Sequence, residues 1–122
     1  MGRDIRKEFA IAKKIVEVAL LGEKITYGEL RDTQGVGGHC LALRFYLADI
    51  GHRCQKDDCQ LPLIVSIVVN KKHRIPGKGF FTEFDKEYRE NDDVFNNQVA
   101  SVEQSLVYDC KDWSKLLESY PF

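Results

Sequence analysis

Between Ile25 and Phe81 the chain changes character in a set order, and that order restricts the folds open to it. Ile25-Thr26-Tyr27-Gly28-Glu29-Leu30 opens a short helix, with Thr26 a candidate N-cap and Glu29 three positions on to complete a capping box. Gly35, Gly37 and Gly38 supply a permissive turn that ends it. Residues 39–56 read as a second helix, with Leu43, Leu47 and Ile50 as its inner stripe and Leu41 and Phe45 at its edges. Leu63 to Val69, rich in β-branched residues, reads as a buried strand. Asn70 to Gly79 is then a basic tip, and Phe80 to Phe84 the returning strand.

Helix, turn, helix, strand, tip and strand is the order of a winged helix-turn-helix. The expected class is therefore α+β, mostly helical. The helix-turn-helix covers about 25–56 and a two-stranded wing about 61–84. An amphipathic N-terminal helix over 3–21 is predicted from Ile5, Phe9, Ala12, Val16 and Ala19/Leu20, stopped by Gly22. Residues 85–92 read as a polar linker. A C-terminal helical segment follows over about 92–120, its stripe Phe95, Val99, Val102, Leu106, Cys110, Trp113, Leu117 and Tyr120. Asp92 or Asp93 caps it, and Asp112 caps a last short helix after a break. At 122 residues a single domain, 1–122, is expected.

Charge is unevenly placed. Residues 1–82 carry 14 Lys+Arg against 9 Asp+Glu, residues 83–122 carry 4 against 10, and the differences of +5 and −6 leave −1. No run approaches the ~20 apolar residues of a membrane span. Charges begin at Arg3 and no signal-peptide core is present, so a cytoplasmic protein with reduced thiols at Cys40, Cys54, Cys59 and Cys110 is expected.

The middle of the chain resembles the DNA-binding domain of the O6-alkylguanine-DNA alkyltransferases and their alkyltransferase-like relatives. Three stretches carry the resemblance: Thr26-Tyr27-Gly28-Glu29-Leu30, Leu41-Ala42-Leu43-Arg44-Phe45, and Leu61-Pro62-Leu63 running through Ile64-Val65-Ser66-Ile67-Val68-Val69-Asn70. It spans about 55 of the 122 residues. It implies that Tyr27 crowds a phosphate and that Arg44 takes the place of a base in the stack. Val65 stands where the family has its alkyl-accepting Cys, and Ser66 where it has a His. On this alignment the repair chemistry is absent and DNA binding is what survives.

The strongest chemical feature is the basic turn Lys71, Lys72, His73, Arg74 and Lys78, in a span with no acidic residue between Asp58 and Glu83. Four fixed cations on one tip suit phosphate contacts; the competing reading is a solvated loop. Arg53 and Lys56 add candidate phosphate contacts. His52, Cys54 and Cys59, with His39 and Cys40, are weak zinc candidates, because the usual Cys-x2-Cys pairs are missing. A Cys40–His73 nucleophile pair and carboxylates at Glu29, Asp32 and Asp49 form no recognisable catalytic pattern. No metal or cofactor is expected.

The leading expectation is a non-enzymatic protein that binds DNA or another nucleic acid through Tyr27, Arg44, Arg53, Lys56, Lys71, Lys72, Arg74 and Lys78. The rivals are a protein-interaction module of phage or toxin–antitoxin type, with a partner or a second copy on the C-terminal helix, and a small nuclease or toxin domain.

Overall fold

The computed structural model describes residues 4–34 and 40–122, with the side chains at 33, 34 and 40–42 outside the description. The predicted Gly35, Gly37 and Gly38 turn, His39, and the side chains of Cys40 and Leu41 therefore lie outside the described residues.

Helix α1 (Ile5–Leu20) begins at Asp4, whose Oδ1 accepts the Arg6 N–H at 2.9 Å. It stops at Gly22, where φ is +72°. A two-residue strand, β1 (Ile25–Thr26), leads into α2 (Tyr27–Gln34). The capping box forms as expected: the Thr26 N–H donates to Glu29 Oε1 at 3.0 Å and the Glu29 N–H donates to Thr26 Oγ1 at 3.1 Å. Helix α3 (Cys40–Gln55) buries Leu43, Leu47 and Ile50 as its stripe predicts, together with Tyr46 and Cys54.

The wing is where expectation and structure part. Leu63 to Val69 is buried throughout, but Ile64–Ile67 is a 3-10 turn and only Val68–Val69 is strand (β2). β2 pairs in parallel with β1, Ile25 opposite Val68 and Thr26 opposite Val69. The expected returning strand is helix α4 (Lys78–Glu83). No two-stranded hairpin forms over 61–84. The physical reason is the β1 edge: a buried Val-Val segment needs a backbone partner, and the chain before α2 supplies one. That frees Phe80, Phe81 and Phe84 to pack as one helical face, with Phe81 fully buried.

Helix α5 (Asp93–Asp109) is capped by Asp92, whose Oδ1 accepts the Phe95 N–H at 3.0 Å. After a break, Asp112 Oδ1 accepts the Ser114 N–H at the start of α6 (Ser114–Glu118). The predicted α5 stripe is rotated. Its buried face is Asn96, Ala100, Gln104 and Val107, while Val102 is 67% exposed and Leu106 49%. Hydrogen bonds draw the polar pair inward: Asn96 Nδ2 donates to the Arg89 carbonyl at 2.8 Å, and Gln104 Nε2 to the Ser66 carbonyl at 2.8 Å. One apolar cluster gathers side chains from Ile11 on α1 to Tyr120 beyond α6. Among the described residues, no helix is long and apolar enough to cross a membrane.

Candidate nucleic-acid interface

Helices α3 and α4 lie side by side because glycines let them approach. A Cβ at Gly51 would sit 2.1 Å from Phe84 Cζ, and one at Gly79 would sit 3.2 Å from Arg44 Nε. Between these two contact points the helices part around a cavity of about 300 Å³. Its apolar walls include Phe45 and Ala48 from α3, Phe80 and Phe84 from α4, and Val65 from the 3-10 turn. Three polar side chains border it: Tyr27, Arg44 and Glu83.

Each of the three is held differently. The Tyr27 hydroxyl accepts the Gly77 N–H at 2.7 Å. Burial pushes its phenol above the ordinary value, with the Gly77 bond opposing, so the hydroxyl keeps its proton and stays a donor. Arg44 is exposed and has no hydrogen bond or ion pair with a described residue. Glu83 Oε2 lies 2.6 Å from His52 Nε2, and the His52 ring leans on Phe84 with centroids 5.1 Å apart.

The basic turn runs toward the cavity from Asn70, and its last residues, Gly77 and Gly79, line it beside Tyr27. Asn70 organises it: its N–H donates to the Ile75 carbonyl at 2.9 Å, its carbonyl accepts the Arg74 N–H at 3.0 Å, and its Oδ1 accepts the His73 N–H at 2.6 Å. These bonds hold Arg74 at φ +59°, a backbone region that side chains rarely adopt. The turn stands near the start of α2. The Glu29 carboxyl is held below the usual range first by the Thr26 N–H, then by the Thr26 side chain, with Arg74 and Lys71 adding to the effect. His73 Nδ1 meets Asp93 at 2.7 Å at the start of α5. Lys78 Nζ meets Glu90 at 2.7 Å, and that contact raises its already high pKa. The basic tip is thus no two-stranded flap, and its end reaches α3, where Gly79 lies against Arg44. Tyr27, through Gly77, joins it to the cavity.

Of the residues singled out from sequence, Tyr27 and Arg44 share the cavity, and Lys71, Lys72 and Arg74 share the turn. Arg53 does not join them. Its Nε donates to Glu8 Oε2 at 2.7 Å and its Nη1 to the Ser119 carbonyl at 3.1 Å, while its guanidinium lies 4.0 Å over the Tyr120 ring. Lys56 is exposed just past the end of α3.

The zinc candidates do not converge. His52 faces Glu83, Cys59 Sγ donates to the Lys115 carbonyl at 3.5 Å, and Cys54 is fully buried. Burial pushes the Cys54 thiol up to about 12, so it is protonated and unreactive at neutral pH. Among the described residues no group of three His, Cys, Asp or Glu is placed to hold a metal ion.

Two residues that line the cavity carry no signal of it in the sequence. Glu83 falls within the expected returning strand, and its tie to His52 crosses between helices. Val65, which the resemblance marks only by the missing thiol, walls the cavity. Comparison of the chain with protein-family models, with curated proteins and with solved structures finds no match.

Proposed function

We propose that the protein is a non-enzymatic nucleic-acid-binding protein, with DNA as its first candidate partner. In this reading α2 and α3 form the helix-turn-helix, and the segment from Asn70 through α4 stands in for the wing. Lys71, Lys72 and Arg74 hold phosphates, and the cavity receives one base drawn out of the stack. Arg44, a planar cation without a described partner, lies at the cavity where it can fill the gap left in the stack.

One observation carries the reading. Tyr27, Arg44 and Val65, chosen through three separate stretches of the resemblance, border a single cavity. Its walls are aromatic and aliphatic, as suits the face of a base. Val65 in place of a thiol leaves nothing there to accept an alkyl group, so binding without covalent transfer is the activity proposed.

Fluorescence anisotropy with a labelled duplex and a labelled single strand, across a salt series, tests this. Wild-type binding is expected to weaken steeply as salt rises. The triple variant Lys71→Glu, Lys72→Glu, Arg74→Glu is expected to lose at least about tenfold in affinity, with a salt slope shallower by about 3. An affinity unmoved by the triple variant would end the proposal.

The exposed apolar pair Val102 and Leu106, one turn apart on α5, favours a second reading, in which that face docks a protein partner or a second copy. Sedimentation of wild type against Val102→Glu, Leu106→Glu separates the two. A concentration-dependent dimer lost in the variant supports self-association, and a monomer throughout removes it.

A further inference from the structure

The mouth of the cavity is bipolar. On α4, Gly79 faces Arg44 and Glu83 faces His52, so the cation stands at one end and the carboxylate at the other. Four residues of helix separate Gly79 from Glu83, about 6 Å of rise. A phosphate is drawn to the Arg44 end and repelled from the Glu83 end. The nucleic-acid backbone therefore has one favoured side of the mouth, and Glu83 is left to meet the edge of whatever enters.

A carboxylate is an acceptor only. Glu83 Oε2 is taken up by His52, while Oε1 has no hydrogen-bond partner among the described residues. The side chain is 45% exposed, so it is reachable from the mouth, and the His52 contact restricts its rotation. We infer that Glu83 is a specificity-determining residue: the cavity between α3 and α4 selects a base carrying an exocyclic amino group, whose N–H donates to the free Glu83 oxygen. This rests on the nucleic-acid reading above and names which bases satisfy it.

The discrimination follows from donor and acceptor patterns. Cytosine, adenine and guanine each offer an amino donor. Uracil and thymine offer a single ring N–H flanked by two carbonyl oxygens, which set lone pairs against the carboxylate. Leaving that charge facing an acceptor, partly withdrawn from water, is the kind of mismatch that binding sites reject strongly. Tyr27, still protonated, supplies a donor for a ring nitrogen or carbonyl and does not distinguish the two groups.

The test uses two hairpin duplexes that differ only in one unpaired nucleotide, dC or dU, which keeps the cost of extrusion low. Wild-type protein is expected to bind the dC probe about tenfold more tightly than the dU probe. Glu83→Gln presents an oxygen and an amide donor at the same place. It is expected to keep its thermal melting and to lose the preference for dC over dU. Equal wild-type affinity for the two probes overturns the inference, as does a preference that survives Glu83→Gln. Both outcomes leave the nucleic-acid reading standing. Salt-dependent binding to neither probe overturns that reading, and this inference with it.

Discussion

Two arginines on α3 show how differently one helix uses its two faces. Arg44 and Arg53 are nine residues apart, two and a half turns, and so point to opposite sides. Arg44 lies on Gly79 at the cavity and has no polar partner among the described residues. Arg53 is enclosed: Glu8, Ser119 and the Tyr120 ring surround its guanidinium, and the Tyr120 hydroxyl donates to the same Glu8 oxygen at 2.7 Å. Glu8 is only 7% exposed and Arg53 18%. The pair ties α1 and α3 to the C-terminal segment. Burial of the partner decides the role: a guanidinium beside a buried carboxylate is structural, and one over a glycine at a cavity mouth is available.

The sharpest way to break this comparison is Arg53→Ala, which leaves Glu8 buried without its cation. It is expected to cost about 3 kcal/mol in denaturant unfolding. Replacing both partners by apolar residues, Glu8→Leu with Arg53→Met, is expected to restore most of that loss. Failure of the double variant to recover would mean that the Ser119 and Tyr120 contacts, not charge pairing, carry the effect.

Gly51→Ala comes next. Ala is better than Gly in a helix by up to about 1 kcal/mol. The added methyl, however, meets the Phe84 ring at 2.1 Å inside the core, and overpacking costs about 1–3 kcal/mol. The clash wins, so a net loss of about 1 kcal/mol is expected in the same assay. Phe84 walls the cavity, and nucleic-acid affinity should fall along with stability.

Asp92→Ala removes the α5 cap and is expected to cost about 1 kcal/mol, read as a lower thermal midpoint with no change in binding. Smallest in stability is Arg44→Ala, expected within about 0.5 kcal/mol of wild type. Its effect belongs to binding: affinity for a probe with an unpaired base should fall while the melting curve stays put. A large stability loss at Arg44 would erase the contrast with Arg53.

Much of the local structure is legible in the sequence. Thr26 with Glu29, Asp92 with Phe95, Asp112 with Ser114 and the Gly22 stop are contacts within a few residues, and the residue types announce them. The α3 stripe was legible because every member is apolar. The α5 face is rotated from the apolar stripe because Asn96 and Gln104 are polar and nevertheless buried, each satisfied by a carbonyl that periodicity cannot see. Of the candidate site, Tyr27, Arg44 and the basic turn were legible as residue types in order. The cavity that Tyr27 and Arg44 share, and its link to the turn through Gly77, were not.

By itself the sequence determined where helices start and stop, because a cap is a hydrogen bond between near neighbours. It also determined that Leu63 to Val69 must be buried, because that run is almost wholly apolar. Only the tertiary structure decided what that run pairs with, which arginine is enclosed, and that Glu83 meets His52. Those choices join residues far apart in the chain: 45 positions between Arg53 and Glu8, 112 between Tyr120 and Glu8, and 31 between His52 and Glu83. Such partners are selected by the packing of the whole core, which no short window of sequence contains.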